Sequence, residues 1–572
     1  MAKESVKYKW DHFLFIFKMK SLCFMLIISI IGIRAKNLRN SYEEYDLVII
    51  GGGLAGLTAT YESYLKTNNT IKILLIEQLS SLGGNSKRAT SGINFLETDP
   101  QKANNIEDNY HLFFNDTLKS GKNLNDPQLL DTFSKGKKYL YDYYTNIFDL
   151  DIRLIGQLGG HSVARTHRPT DSKFVIGYYL ISKISKKIQE IKDIKIYYNS
   201  TVTKLLKNET NNKIYGLKYK KDNKEYTIYC KAIILTSGGY GHDFGENGLL
   251  KEYVPQIMNF PSTNGEFSKG SGVKLGREIG ADLVDMDKVQ VHPTGFVDPK
   301  NRYIKDKFLA PELLRGVGGI LVNDNGDRFC NELGTRDYVT SKIKENCRKQ
   351  DTNKIDQYEC FLLMNEEMAK EFGNHFNYYK DVKGFIIEHT NFNELSKNIN
   401  VDYQKIVNTI NKHNDACDKK IIDKYNKTTF LHKFDLNKKI YSMIITPSVH
   451  YTMGGIKINN NTEVINTNGK PIKGLYGAGE VTGGVHGGNR LGGNSLAECG
   501  VFGRIAANSA VNYIMKNNFT VNTGIVKRSS ILGSIGISSL FQMAIVGIIG
   551  YDCYRRGGCF IGNNNFGNYY LL

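Results

Sequence analysis

The hydrophobic and polar positions near residue 50 predict a strand, a glycine-rich turn and a helix in direct succession. Residues 47–50 form a continuous apolar run that is largely β-branched, which is typical of a strand buried on both faces. Glycines follow at positions 51, 52, 53 and 56, and apolar residues then recur at helical spacing over residues 57–65. This order is that of the first half of a βαβ unit.

The glycines of this turn fit the Gly-x-Gly-x-x-Gly pattern of dinucleotide-binding folds. Gly51 allows the tight turn, Gly53 lets the backbone approach a pyrophosphate, and Gly56 lets the helix pack close to the strand. A second apolar run at residues 71–76 ends at Glu77, about 20 residues on, where a ribose hydroxyl needs an acceptor. We therefore predict a dinucleotide site; a glycine-rich turn in some other α/β unit is the alternative.

The rest of the chain predicts an α/β fold with a second domain inserted into the first. Residues 99–150 carry apolar and aromatic side chains at helical spacing, and residues 191–234 alternate as strands of a hairpin or meander do. Residues 265–285 are amphipathic and predict a helix. The Ala, Gly and Ser content of residues 495–510 predicts a tightly packed helix whose N-terminus points at a ligand. The character of the sequence changes near residue 289, where the inserted domain is expected to begin.

Charge and cysteine usage narrow the class of protein. The chain has 572 residues and a formal net charge of +18, but its lysines are scattered among Asn, Tyr and Ile rather than clustered. That distribution argues against nucleic-acid binding, although the positive excess could steer a dianionic substrate. The nine cysteines show neither Cys-x-x-Cys nor a haem-attachment motif, so we expect no metal site.

Both ends of the chain carry apolar segments. Lysines precede an apolar run at residues 22–33, with Ala35 as a small residue where cleavage could occur. A secretory signal is the first interpretation, an uncleaved anchor the second and a mitochondrial presequence the third. Residues 529–551 are uncharged and flanked by basic pairs, which fits either a membrane span or a packed tail helix. We expect the secretory pathway, that is the endoplasmic reticulum, or membrane association, with mitochondria as the alternative.

Four blocks together carry a resemblance to a known family: DLVIIGGGLAGLTA, HPTG with ELLRGVGGILVN, NELGTRD, and GAGEVTGGVHGGNRLGGNSL. Over residues 45–515 the chain resembles the fumarate reductase and succinate dehydrogenase flavoproteins, most closely the soluble flavocytochrome c and yeast-type fumarate reductases. The resemblance implies a Rossmann-type FAD-binding domain with an inserted α+β capping domain that closes over the flavin and a dicarboxylate. The implied boundaries are a targeting segment at 1–43, the FAD-binding domain at 44–288 and 447–516, the capping domain at 289–446, and a tail at 517–572.

The resemblance also implies a role for each of six site residues. Arg336 in GTRD matches the arginine that acts as general acid, and Glu312 and Arg315 in PELLRG match the pair that relays protons to it. Taken singly, Arg336 would be read as a helix-start salt bridge, and the other two as an i,i+3 helix pair worth a few tenths of a kcal/mol. The three residues occur together, in the family's order, between the sequence blocks that resemble flavin-binding motifs, and this favours the catalytic interpretation.

The other three residues are implied to hold the substrate. His292 in HPTG matches a histidine that contacts one carboxylate, while His450 in VHYTMGG and Arg490 in NRLGG match the pair that holds the other. Arginine suits this task because its guanidinium binds a carboxylate in a bidentate manner. One departure is Pro311, which stands where some relatives carry a substrate-contacting threonine.

The implied cofactor is FAD bound without a covalent link, because the loop SSLGGNSKRATSG lacks the histidine that attaches flavin in the respiratory branch. With no haem motif, we expect a reduced diffusible flavin or NADH as electron donor. The predicted cofactor-binding residues are Gly51, Gly53, Leu54, Ala55, Gly56, Glu77, Gly84, Asn85, Ser86, Thr90, Ser91, Gly92, Val202, Ser237, Gly238, Gly239, Gly479, Glu480, Asn494, Ser495 and Leu496.

The expected reaction is the reduction of fumarate to succinate by hydride transfer from FAD N5 and protonation by Arg336. An arginine acid is unusual, because guanidinium hardly loses its proton unless burial and neighbouring cations favour the loss. Two alternatives stay open. One is a flavin reductase or dehydrogenase of another unsaturated acid, such as urocanate or acrylate, and the other is a non-catalytic flavin electron-transfer protein.

Overall fold

The computed structural model describes residues 42–171, 173–350, 355–419 and 421–517, together with a few positions between 15 and 29. The predicted targeting segment therefore lies almost entirely outside the described residues, and the predicted apolar tail segment 529–551 lies wholly outside them. Within the described part of the chain, no helix is both long enough and apolar enough to cross a bilayer.

The described strands are short except where they form the centres of the two largest sheets. In chain order they are β1 (Tyr42–Ile50), β2 (Ile73–Ile76), β3 (Ile93–Asn94), β4 (Leu154–Gly156), β5 (Thr166–Arg168), β6 (Lys195–Tyr197), β7 (Thr201–Asn208), β8 (Lys213–Lys221), β9 (Lys224–Leu235), β10 (Leu283–Val284), β11 (Val289–Phe296), β12 (Ile320–Val322), β13 (Arg348–Lys349), β14 (Tyr358–Met364), β15 (Ile387–His389), β16 (Ile440–Thr452), β17 (Gly455–Ile456), β18 (Glu463–Ile465) and β19 (Pro471–Gly477).

The α-helices vary from a single turn to more than six turns. In chain order they are α1 (Leu54–Thr67), α2 (Asp99–Ala103), α3 (Tyr110–Ser120), α4 (Pro127–Gly136), α5 (Leu140–Phe148), α6 (Ile176–Gln189), α7 (Leu249–Tyr253), α8 (Ser271–Glu278), α9 (Leu313–Gly316), α10 (Arg336–Asn346), α11 (Glu366–Phe372), α12 (His375–Asn377), α13 (Phe392–Ile399), α14 (Tyr403–Lys419) and α15 (Asn494–Lys516).

The largest sheet is mostly parallel and has the order β18-β19-β8-β9-β1-β2-β6, with β7 paired to β8. Strand β1 pairs in parallel with β2 on one side and with β9 on the other, and β19 is parallel to β9. A central strand of such a sheet is covered on both faces, which is why residues 47–50 are uniformly apolar and buried. The sequence prediction of this βαβ unit is confirmed.

The carboxyl ends of β1, β9 and β19 meet at one edge of this sheet. Each strand runs there into a glycine-rich turn, at residues 51–56, 236–241 and 477–484. Helix α1 begins in the first turn, and α15 begins a short distance beyond the third. Ligands of open α/β sheets bind outside this edge, so the topology places the predicted nucleotide site there.

Small residues let α15 pack closely against its neighbours. A Cβ atom added at Gly503 would lie 2.8 Å from the Ala55 carbonyl oxygen on α1, and one added at Gly500 would lie 2.7 Å from the Tyr144 hydroxyl. The Ala and Gly content of this segment is therefore a packing requirement. The helix is longer than predicted at its C-terminal end, since it runs from Asn494 to Lys516.

A second sheet is antiparallel and has the order β11-β16-β14-β12, with β13 and β15 at its margins. It has its own apolar core, which includes Phe296, Leu321, Leu363, Ile410 and Ile445. The core residues of the large sheet come from before residue 290 and after residue 455. The segment that forms the second core therefore interrupts, in sequence, the part of the chain that forms the first. The two cores fit an α/β fold with an α+β insertion. The boundaries at 289 and 446 stay a prediction.

The predicted helix at residues 265–285 is shorter in the structure. Helix α8 covers Ser271–Glu278, and its N-cap residue Gly270 has a left-handed backbone with φ +62°. The preceding loop is held by long-range contacts, because the Asn85 side-chain amide donates to Asn264 Oδ1 and to Ser268 Oγ, each at 2.8 Å. Those contacts are not encoded in the local amphipathic pattern.

Candidate active site

A cleft lies at the carboxyl edge of the large sheet and contains most of the predicted cofactor-binding residues. Those that line it are Gly51, Gly53, Leu54, Ala55, Glu77, Gly84, Asn85, Ser86, Thr90, Ser91, Gly92, Val202, Ser237, Gly238, Glu480, Ser495 and Leu496. The cleft extends to Arg336, His450 and Arg490. The structure therefore brings residues from both ends of the described chain and from the inserted segment to one cavity.

Four predicted cofactor residues lie behind the cleft rather than in its lining. They are Gly56, Gly239, Gly479 and Asn494, and each supports the wall. Asn494 Oδ1, for example, accepts hydrogen bonds from Asn94 Nδ2 at 2.8 Å and from Lys137 Nζ at 3.0 Å. For these four residues, contact with the cofactor stays a prediction.

Two helix N-termini at the cleft suit a pyrophosphate. The N-cap Gly53 of α1 is extended, with φ −72° and ψ −177°, and gives no side-chain cap; the N-cap Gly493 of α15 likewise gives none. Uncapped N–H groups at the positive end of a helix dipole bind phosphate oxygens. At Gly53 the nearest atom to an added Cβ is 3.6 Å away, so a ligand group has room there.

Glu77 occupies the position expected of a ribose acceptor. Its Oε2 accepts from Gly52 N at 2.7 Å and its Oε1 from Leu79 N at 2.9 Å, while the residue also lines the cleft. Burial raises the pKa of this carboxyl, and the backbone hydrogen bonds partly offset that rise. A carboxylate oxygen can accept more than one hydrogen bond, so ribose hydroxyls fit here. The residues present suit FAD.

Gly56 is expected to tolerate no side chain. A Cβ at this position would lie 1.9 Å from the Gly51 carbonyl oxygen, so Gly56→Ala should separate α1 from β1 and lower stability by about 1–3 kcal/mol or more. Thermal unfolding of the apoprotein measures this. Gly53→Ala should leave apoprotein stability near wild type yet reduce bound FAD. Gly245→Ala, with no atom within 4 Å of its added Cβ, should alter neither.

Arg336 is the first residue of α10 and forms the centre of the cluster that contains the three predicted catalytic residues. It is buried, and its Nε and Nη2 atoms each lie 2.8 Å from Glu312 Oε2, while Nη1 donates to Gln290 Oε1 at 2.8 Å. The Gly159 N–H donates to the other carboxylate oxygen of Glu312 at 2.8 Å. Burial acts to raise the pKa of Glu312, but Arg336 and Arg315 outweigh it and hold the pKa below its usual value.

Arg315 is fully buried beside Glu312 and does not line the cleft. Its Nη2 is 3.9 Å from Glu312 Oε1, which is longer than a hydrogen bond, so transfer of a proton between them needs a small approach or a bridging water. Its Nε and Nη2 have no hydrogen-bond partner among the described residues. Burial lowers the pKa of Arg315, and Glu312 partly offsets that shift.

The three predicted carboxylate binders converge beside this cluster. The rings of His292 and His450 are 4.9 Å apart, and His450 Nδ1 lies 2.7 Å from Thr263 Oγ1. The Arg490 guanidinium lies 4.2 Å from the centre of the Tyr451 ring. His292 Nε2 and Arg490 Nε are buried and have no partner among the described residues, which leaves donors for a ligand.

Burial sets the protonation states of these groups. It lowers the pKa of His292 and His450 well below the usual value, and the Arg336 guanidinium lowers both further, so the two imidazoles are neutral at pH 7. Burial and then Arg336 lower the pKa of Arg490 to about 10. The site therefore presents two guanidinium cations with neutral imidazole donors beside them, which suits an anion with two carboxylates.

A buried ion cluster supports the segment that leads into α10. Glu332 accepts from Arg328 Nη2 at 2.8 Å and from Lys427 Nζ at 2.9 Å, and its backbone oxygen accepts from Arg315. Burial acts to raise the pKa of Glu332, but Lys427 and Arg328 hold it well below the usual range. Because Glu332 precedes Arg336 by four residues, this cluster fixes the start of α10.

We expect Glu332→Gln to destabilise the protein by about 3–5 kcal/mol, because it leaves the buried Lys427 without a carboxylate partner and leaves Arg328 paired with Asp423 alone. A depressed carboxylate pKa contributes stability above the unfolded value of about 4.3 that is lost as pH falls below it. Denaturant unfolding between pH 5 and 2 should therefore show a weaker pH dependence in the variant. The exposed pair of Lys342 and Glu345 provides the control, since Glu345→Gln should change neither quantity measurably.

Sequence reasoning missed Gln290 and the loop that carries Asn264. Gln290 is two residues before His292 on β11, so both side chains face the same way, and strand alternation could have identified it. Asn264, Phe267 and Ser268 also line the cleft. The sequence predicts a helix over residues 265–285, so it gives no sign that these three residues lie in a loop at the cleft. In the structure the helix begins only at Ser271.

Comparisons with a family model, with known sequences and with solved structures all identify the same family. The sequence model of the FAD binding domain family matches residues 46–496. The chain is 40% identical to fumarate reductase 1 of Saccharomyces cerevisiae, over 82% of this chain and 98% of that protein. It is 35% identical to the fumarate reductase of Schizosaccharomyces pombe, over 83% and 91% respectively.

A solved structure agrees with these sequence matches. The open conformation of a flavocytochrome c3 fumarate reductase has a TM-score of 0.65 and 28% identity to this chain, and the alignment covers 85% of this chain and 81% of that one. The fold, the phosphate-binding helix ends and the glycine fingerprint all correspond to FAD as the cofactor. The chain therefore belongs to the FAD-binding fumarate reductase family of flavoproteins, whose members are FAD-dependent oxidoreductases acting on CH–CH groups.

Proposed function

We propose that this protein reduces fumarate to succinate. The observation that carries the proposal is the meeting of Arg336, His450 and Arg490 in the cleft that suits FAD, with Glu312 bonded to Arg336 from behind. The two similar yeast proteins named fumarate reductases support the same substrate. The unpartnered Arg490 Nε and His292 Nε2 offer separate hydrogen-bond contacts, which favours a dicarboxylate over a monocarboxylate.

In this proposal Arg490 and His450 hold one carboxylate and His292 contacts the other. The Arg490 guanidinium presents a planar fork of donors, and its packing on Tyr451 fixes the plane of that fork. The unpartnered His292 Nε2, which lies 4.0 Å from Glu312 Oε2, gives a neutral donor for the second carboxylate. Holding both ends orients the carbon–carbon double bond and draws electron density towards the carboxylates.

Arg336 is the proposed acid. Its guanidinium protonates one alkene carbon. Arg315 then gives a proton to the ionised Glu312 carboxylate, which passes it to Arg336, and solvent restores the proton of Arg315. Arg336 is buried beside the Arg490 cation, and the Glu312 carboxylate bonded to it is placed to return the proton. Bound FAD would supply the hydride to the other carbon from its N5.

We further propose a diffusible electron donor, either NADH or a reduced flavin, and FAD held without a covalent link. The chain has no haem-attachment motif, and the loop at residues 80–92 contains no histidine. Both points are properties of the sequence. A direct comparison of reduced compounds as electron donors is needed to identify the donor.

The experiment is an anaerobic assay of the FAD-loaded full chain with NADH, reduced FMN or a reduced dye as donor. Fumarate, acrylate and urocanate are compared as acceptors, and the product is identified by NMR. Donor oxidation that depends on fumarate and yields succinate is expected, with the other two acids near background. Equal rates with acrylate would favour a less selective reductase, and no oxidation with any acid would favour a flavin electron-transfer protein.

A further inference from the structure

A second cavity lies between the flavin-binding part of the chain and the inserted segment, and the proposed chemistry does not use it. One wall is formed by Thr90, Arg168 and Phe174, and the opposite wall by Pro311, Lys370 and Phe372. We call it the seam cavity. It includes Arg168, the last residue of β5, whose side chain has no role in the proposed reaction.

The seam cavity adjoins the active-site cleft. Thr90 lines both cavities, and its buried Oγ1 has no hydrogen-bond partner among the described residues. The chain segment around Glu312 forms a second part of the boundary. Pro311 and Leu313 line the seam cavity, whereas Glu312 between them bonds Arg336 in the catalytic cluster.

Arg168 gives the seam cavity its chemical character. Its Nε is buried without a partner among the described residues, and its Nη1 reaches the Phe372 carbonyl oxygen only at 3.4 Å. By contrast, Arg153 and Arg165 from the same part of the chain are each bonded to aspartate carboxylates. The Arg168 side chain is partly buried, and a buried guanidinium nitrogen without a carboxylate partner is costly unless an anion binds to it.

The rest of the lining favours a small anion. Lys370 adds a second cation, and the lining carboxylate Glu371 is already held by His432 Nε2 at 2.8 Å. Burial lowers the pKa of Arg168, and Glu371 offsets part of that shift. Phe174, Phe372 and Tyr379 provide an apolar surface for a carbon chain. Charge and surface together match a short carboxylic acid.

We propose that the seam cavity is a loading site, where Arg168 captures a small dicarboxylate on its way to and from the flavin cleft. The proposal rests on the proposed function, because it takes its ligand from that reaction. A loading site lowers the barrier for passage in both directions. It therefore changes association and dissociation rates equally and leaves the equilibrium affinity of the flavin cleft unchanged.

The test measures succinate binding to the oxidised, FAD-loaded full chain from the change in flavin absorbance, by titration and by stopped flow. In Arg168→Met, we expect both the association and the dissociation rate constants to fall about tenfold, the lower end of electrostatic steering effects, with an unchanged Kd. Arg168→Lys should recover part of the loss. Arg153→Met, which removes an exposed arginine of the same region, should match wild type.

Three results would overturn the proposal. The first is an unchanged association rate constant in Arg168→Met and in Lys370→Met. The second is a raised Kd that arises from faster dissociation alone, which would place Arg168 in the support of the flavin cleft. The third is slower flavin reduction by NADH with unaltered succinate kinetics, which would assign the cavity to the donor. Failure of wild type to bind succinate or to reduce fumarate would instead reject the proposed function.

Discussion

Replacing Arg336 with alanine is expected to reduce kcat for fumarate by at least about a hundredfold, because general acid catalysis contributes about 10²–10⁴. The variant should still bind FAD with an unaltered visible spectrum, because the Arg336 side chain is hydrogen-bonded to Glu312 and Gln290 and not to the glycine-rich turns. Loss of the Arg336 charge should also raise the pKa of the buried Glu312 carboxyl. Steady-state kinetics and the flavin absorbance spectrum measure these effects.

Two further variants separate the acid from a simple charge at this position. Arg336→Lys keeps a cation and should recover only a small part of the rate, because one ammonium cannot bond Glu312 and Gln290 as the guanidinium does. Arg277→Ala removes an exposed arginine paired with Glu252 and should leave the rate unchanged. An Arg336→Ala enzyme with near wild-type kcat would show that another group supplies the proton.

Replacing Arg490 with methionine is expected to act on binding. The buried guanidinium is aligned by Tyr451 and keeps an unpartnered Nε, so its loss removes charge-assisted hydrogen bonds to the substrate carboxylate. We expect kcat/KM for fumarate to fall by about a hundredfold or more, which corresponds to about 3 kcal/mol. Most of the change should be in KM, since the interaction exists before and during the reaction.

The pattern across the two sites distinguishes their roles. Arg490→Lys should retain more affinity for fumarate than Arg490→Met. At saturating donor and high fumarate concentration, both variants should still turn over. If Arg490→Met lowered kcat and left KM unchanged, the carboxylate clamp would be assigned wrongly. A similar loss of kcat in both Arg336→Ala and Arg490→Met would indicate that they act as one unit.

Local sequence determines the flavin half of this protein well. The turn at residues 51–56 depends on neighbouring glycines and on one apolar strand, so its pattern is complete within about 20 residues. Helix α15 is similarly marked by its small residues. For these elements the packing requirement and the sequence signal are the same, as the contacts of Gly56 and Gly503 show.

The inserted half depends on contacts between distant residues, and there the sequence pattern was less informative. Glu332 is neutralised by Lys427, which lies 95 residues away, and Arg336 is oriented by Gln290, which lies 46 residues away. Neither partner belongs to a short motif. The resemblance identified Arg336, Glu312 and Arg315 as a group, but only the fold revealed that Arg315 is buried and that Arg168 lacks a carboxylate partner among the described residues.

The most direct test of the central claim is a single-turnover experiment. The FAD-loaded protein is reduced anaerobically with one equivalent of donor, mixed with fumarate in a stopped-flow instrument, and followed by the return of oxidised flavin absorbance. The account predicts reoxidation whose rate rises with fumarate and saturates, with one succinate formed per flavin, and a rate at least about a hundredfold lower in Arg336→Ala. Reoxidation that is independent of fumarate, or that yields no succinate, would contradict it.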